Sequence, residues 1–142
     1  MSETLSILIP LDLTEEASQL KMSLDRFLNQ KLEPILLHVI DQEIIESLTK
    51  AELSGTTEIV KKLKTNSEDI LKDLASNFGE NAQVIVVEGS PFIEIIKLAR
   101  DLKVDLIAMP AHSKRQNLQE LFFGSTTERV IRGSTVPVFC LR

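Results

Sequence analysis

Residues 123–132, FGSTTERVIR, put Gly124 and two hydroxyl residues, Ser125 and Thr126, where a helix is expected to open. The first N–H groups of a helix have no partner within it and stand at the positive end of its dipole, so such a mouth can receive a phosphate. The same letters fit a capping box, in which the Ser125 hydroxyl and the Glu128 carboxylate satisfy those donors without a ligand. Both readings stay open, because the two roles can alternate at one helix. Asp12 is a second candidate, and Asp12-Leu13-Thr14-Glu15 also has capping-box spacing, here for a helix after the first strand.

Other chemistry finds less support. His38 and His112 have no cysteine or closely spaced acid at metal-ligand intervals, so no metal site is expected; His38 should pack or bond locally and His112 should lie in solvent. His112 and Ser113 are adjacent, a poor geometry for a base and its nucleophile, and no orienting acid accompanies them. No catalytic residue is assigned, and the chain is not expected to be an enzyme. The single Cys140, in the run VPVFCLR, has no cysteine to pair with and reads as a buried, inert thiol. GxGxxG and GxxxxGK[ST] are both missing, which argues against ordinary dinucleotide folds and Walker-type NTPases. Asp12 lacks the second acid that a phosphoaccepting receiver domain would place beside it.

Composition narrows the field further. A chain of 142 residues can bury about two-thirds of its unfolded surface around one core, so residues 1–142 are expected to form a single domain. A net charge of −5, with six Phe and neither Trp nor Tyr, offers no cationic face and few stacking platforms, and nucleic acid is not expected as a partner. The apolar runs fall far short of the roughly 20 residues that span a bilayer. The opening MSETLSILIP carries an acid where an export signal would carry a base, so a cytoplasmic location is expected.

The elements that must position these residues are legible as periodicity. Four runs, LSILIPL (5–11), EPILLHVI (33–40), AQVIVVE (82–88) and VDLIAMP (104–110), are nearly continuous in Ile, Leu and Val, the pattern of strands covered on both faces; TVPVFCLR (135–142) supplies a fifth. Helical spacing puts Ala17, Leu20, Leu24 and Phe27–Leu28 on one stripe over 14–31, and Ile59, Val60, Leu63, Ile70, Leu74 and Phe78 on another over 57–78. Residues 41–56 read as a shorter helix broken at Ser54-Gly55. Ser90-Pro91 opens a helix over 91–102 with Phe92, Ile96 and Ala99 inward, and a last helix over 126–132 ends at Gly133. The order βαβααβαβαβ specifies a doubly wound, Rossmann-like open parallel sheet with helices on both faces. Ligands of such sheets bind beyond the carboxyl ends of the strands, and the loop Pro110–Phe123, fourteen residues long, is the longest connection there.

Three segments, LSILIPLD, EGSPFIEIIKLARDLKVDLIAMPAH and GSTTERVIRGSTVPVFCLR, together resemble the universal stress protein family across essentially the full chain. The resemblance implies a five-stranded sheet ordered 3-2-1-4-5 and, in one branch, ATP or AMP bound weakly between the first and fourth strands, with Mg²⁺ accompanying the triphosphate. That branch carries Gly-x2-Gly-x9-Gly-Ser/Thr after strand four. Here Pro110 and Ser113 stand at the first two glycine positions, and Gly124-Ser125 keep the last element after a gap of ten. Proline removes both the conformational freedom and the N–H that phosphate approach uses, while Lys114 and Arg115 could supply charge instead. By the same resemblance Asp12 would recognise the nucleoside, Pro10, Leu11, Val39 and Met109 would line an adenine pocket, and Ser113, Gly124, Ser125 and Thr126 would meet the phosphates.

Two alternatives accompany this reading: a nucleotide-free stress protein acting through dimerisation and protein contacts, and an enzyme on adenylated intermediates. The second would need a phosphate loop near the first strand, where LDLTEE is acidic. The final strand, Thr135 to Arg142, is expected at a sheet edge, where Pro137 is tolerated. The resemblance implies that it pairs with its copy in a homodimer.

Overall fold

The computed structural model describes residues 4–13, 17–51, 55–110 and 125–141. Five strands, β1 (Thr4–Pro10), β2 (Lys31–Asp41), β3 (Gln83–Gly89), β4 (Leu106–Pro110) and β5 (Val138–Leu141), form one parallel sheet in the order β3-β2-β1-β4-β5. The helices are α1 (Ala17–Phe27), α2 (Gln42–Lys50), α3 (Thr56–Ala75), α4 (Pro91–Asp101) and α5 (Ser125–Gly133), with a 3₁₀ turn at Ser76–Phe78. The doubly wound sheet is the one expected from the run of elements, and its 3-2-1-4-5 order is the one the family resemblance implied.

The continuous apolar runs have a direct cause. Side chains alternate across a strand, so Ile7 and Ile9 enter one core cluster with Leu20 and Leu24 of α1 and Leu71 of α3, while Leu8 enters another with Ile95 and Ala99 of α4 and Val130 of α5. Ile7, Leu8, Ile9, Leu36 and Leu37 are all fully buried. Both faces of the central strands are thus removed from water, and neither can carry a polar alternation.

Several details differ from expectation. Phe27 is 62% exposed and Ile70 is 42% exposed, although both had been counted on inward stripes. Just past the end of α1, Leu28 packs against the first cluster, while the Phe27 ring lies 6.0 Å from that of Phe139 in β5. On α4 the buried positions are Ile95 and Ala99, with Ile96 half-buried. β5 begins at Val138, after Pro137, so the proline precedes the strand and contributes only its carbonyl, which accepts from Ile107 N–H at 2.9 Å. Gly133 ends α5 without positive φ; a Cβ there would lie 2.7 Å from Ile96 Cδ1 and would require that terminal methyl to shift.

Pro34 is fully buried within β2. It pairs with Ile7 on the β1 side, whereas the β2–β3 ladder starts only at Ile35 opposite Gln83. The Leu37 carbonyl accepts from Leu11 N–H on the β1 side at 2.8 Å. Backbone groups alternate along a strand, so the donor Pro34 lacks would have faced β3, below the point where β3 begins pairing.

Candidate functional site

The carboxyl ends of β1, β2 and β4 open into a cleft of about 420 Å³, within the range of about 300–1,000 Å³ common for small-molecule sites. Its floor is the strand ends: Pro10 through Leu13 after β1, Leu37 to Asp41 of β2, and Met109 and Pro110 of β4. Pro91 and Ile95 of α4 and Thr126 and Thr127 of α5 close one side, and Ile44, Leu63 and Ser67 of α2 and α3 close the other.

Of the candidate residues, Pro10, Leu11, Asp12, Val39, Met109 and Thr126 come together around this cleft. Ser125 is the first residue of α5 and is exposed, one residue earlier than the expected helix start. Ser113 and Gly124, with His112, Lys114 and Arg115, lie outside the described residues. The cap that Asp12 would provide falls on Thr14 and Glu15, also outside them. In α5 the Glu128 carboxylate lies 2.7 Å from the Arg132 guanidinium, one turn onward, so the ion pair directs it away from the helix mouth.

Polar side chains around the cleft are largely committed to backbone. Thr127, 5% exposed, donates its hydroxyl to the Pro110 carbonyl at 3.1 Å, tying the first turn of α5 to the end of β4. Ser67, equally buried, donates to the Leu63 carbonyl at 2.7 Å. Asp41 caps α2, accepting from Glu43 N–H at 3.0 Å. His38 Nδ1 lies 2.8 Å from the carbonyl oxygen of Leu11, 27 positions earlier, where local bonding had been expected. Among the described lining residues the ionised side chains are Asp12 and Asp41, with no Lys or Arg. An anionic group is therefore disfavoured at the β1–β2 end, and the N-terminus of α5 is the favourable side for it.

His38, Ser67 and Thr127 were not among the candidates. Ser67 left a trace in the sequence: it interrupts the i, i+4 series Leu63, Ser67, Leu71 on α3, a hydroxyl on an apolar stripe. Thr127 left none, because its partner, Pro110, is 17 residues away. Cys140 is half-buried, and burial pushes its thiol up from the ordinary value, which favours the protonated form over the thiolate. Among the described residues no group of three or more His, Cys, Asp or Glu could hold a metal, and no helix is long and apolar enough to cross a membrane.

Comparison with known proteins agrees with this architecture. The family model of the universal stress proteins matches residues 4–142. The universal stress protein MJ0577 of Methanocaldococcus jannaschii is 36% identical over 96% of this chain and 93% of its own. The solved structure of MJ0577 superposes with a TM-score of 0.79 over 96% of this chain and 94% of that one, at 34% identity. At 15% identity, a universal stress protein from Archaeoglobus fulgidus solved in complex with dAMP has the same fold, with a TM-score of 0.56 over 97% of this chain and 98% of its own. The chain belongs to the universal stress protein family.

Proposed function

We propose that this chain is a single-domain regulatory module of the cytoplasm that binds adenine nucleotide, ATP or AMP, weakly in the cleft between β1 and β4 and performs no metabolic catalysis. The observation that carries the reading is the cleft itself: about 420 Å³, with apolar walls from Pro10, Val39 and Met109, a carboxylate at Asp12, and the start of α5 on the far side. A flat base suits the apolar walls, a sugar hydroxyl can donate to Asp12, and phosphate belongs at the helix mouth. Mg²⁺ would accompany a triphosphate. The dAMP complex of the distant relative supports the assignment at the level of fold.

A second reading, a nucleotide-free stress protein acting through protein contacts, is favoured by Pro110. It occupies the first glycine position of the nucleotide-binding signature and itself lines the cleft, with its carbonyl engaged by Thr127. Either reading accommodates a homodimer formed through β5, which is an edge strand of the sheet.

Freshly purified protein should release adenine nucleotide on denaturation, detected by mass spectrometry, and calorimetry should show binding of AMP and Mg-ATP. Absence of co-purified nucleotide together with no binding at millimolar ligand would leave the nucleotide-free reading standing. Sedimentation at micromolar concentration tests the dimer, which a monomeric species would exclude.

A further inference from the structure

The segment leaving β1 is held in an unusual way. Leu11 N–H donates to the Leu37 carbonyl at 2.8 Å, and the Leu11 carbonyl oxygen lies 2.8 Å from His38 Nδ1, so both backbone groups of one residue are fastened to neighbouring positions of β2. Two residues on, Leu13 sits at φ 70, a left-handed conformation that disfavours a side chain by roughly 1–2 kcal/mol. Such a conformation persists only where its surroundings over-determine it. Leu13 packs partly buried against the core cluster beneath α1 and α3, and Asp12 lies between the fastened residue and the strained one. All four residues, Leu11, Asp12, Leu13 and His38, line the cleft.

A carbonyl oxygen only accepts. The His38–Leu11 bond therefore requires a proton on Nδ1, which rules out the tautomer protonated at Nε2 alone. We propose that His38 is the positioning residue of the cleft: its Nδ1–H fixes the Leu11 backbone and thereby sets Asp12 and Leu13 in the arrangement that meets the nucleoside. As a role in ligand binding this rests on the nucleotide reading; as a latch on the chain it does not.

The experiment separates the two. In the wild-type protein, long-range ¹H–¹⁵N spectra of the imidazole should show a protonated Nδ1. His38→Phe keeps the ring volume and removes the donor, whereas His38→Asn keeps an N–H donor near the place of Nδ1. In His38→Phe the amides of Asp12 and Leu13 should exchange with solvent about tenfold faster, with helix content and the exchange of core amides in β1 unchanged. AMP affinity should fall about tenfold in His38→Phe and stay within about threefold of wild type in His38→Asn. An Nε2–H tautomer, or equal amide exchange in wild type and His38→Phe, overturns the latch whatever the protein binds. Equal AMP affinity in wild type and His38→Phe overturns the positioning role. A wild-type protein that carries no co-purified nucleotide and binds neither AMP nor Mg-ATP removes the nucleotide reading and with it the positioning role, and the tautomer and exchange data then stand as the test of the latch.

Discussion

Replacing Thr127 by Val isolates the bond that ties α5 to the end of β4. The two side chains have nearly the same shape and both are β-branched, so packing and helix propensity change little and the difference is the hydroxyl. In the wild-type protein that hydroxyl, on a residue 5% exposed, donates to the Pro110 carbonyl at 3.1 Å. A neutral hydrogen bond contributes about 0.5–1.5 kcal/mol net, and stranding its acceptor costs about 1–3 kcal/mol. Pro110 is half-buried, so water can reach its carbonyl in part, which places the loss near the lower figures, about 1 kcal/mol. For a domain of this size that corresponds to about 3 °C in Tm. Urea unfolding should be followed by circular dichroism, since the chain has no Trp or Tyr to report by fluorescence. The midpoint should fall with the m-value unchanged. Thr126→Val, one position away and half-buried, is the control and should change stability by less than about 0.5 kcal/mol. Equal losses in the two variants would refute the bond as a tie between helix and strand.

Three further outcomes are expected. Leu36→Ala, at a fully buried position in the longest strand, should lose about 2–5 kcal/mol in urea unfolding, and a loss below about 1 kcal/mol would contradict the two-sided burial of β2. Gly89→Ala places a side chain at φ 153, a region reserved for glycine, with its Cβ 2.8 Å from Glu94 Cγ; about 1–3 kcal/mol should be lost, and pairing it with Glu94→Ala should recover only the steric part. Cys140 should alkylate more slowly than a free thiol at neutral pH and regain that rate in urea. Because its folded pKa is raised, the folded state keeps the proton to higher pH than the unfolded state does, so stability should fall as pH rises through the ordinary thiol range and beyond. A flat stability profile there would contradict the burial of the thiol.

The sheet was legible because burial on two faces writes itself into composition. A strand such as Ile7–Leu8–Ile9 has no polar face to record, and its uninterrupted run implies helices on both sides before any contact is known. Helix faces were less legible. A period of 3.6 residues assigns Phe27 and Leu28 to neighbouring directions, and which of them enters the core depends on where the strands lie. Gly133 shows how one letter can stand for two physical demands: the end of a helix and the close approach of a neighbouring one both favour glycine, and here the φ is not positive while an added Cβ would meet the Ile96 terminal methyl. The loops beyond the strand ends followed from topology, since a parallel sheet leaves its carboxyl ends open, whereas Pro10, Leu11, Asp12, Val39 and Met109 were singled out by the family resemblance. His38 and Thr127 did not, because each acts through the backbone carbonyl of a residue distant in sequence, at 27 and 17 positions.

Pro34 has a consequence for how the sheet assembles. A fully parallel sheet without alternation gives little information about alignment, because sliding one apolar run past another still buries apolar side chains. A missing donor on the side where β3 must arrive gives that slide a stop: moved one step toward the amino end of β2, the third strand would meet a position with nothing to offer its carbonyls. The fold thus carries an alignment mark in the strand that sits between β1 and β3, at the end of the sheet opposite the cleft.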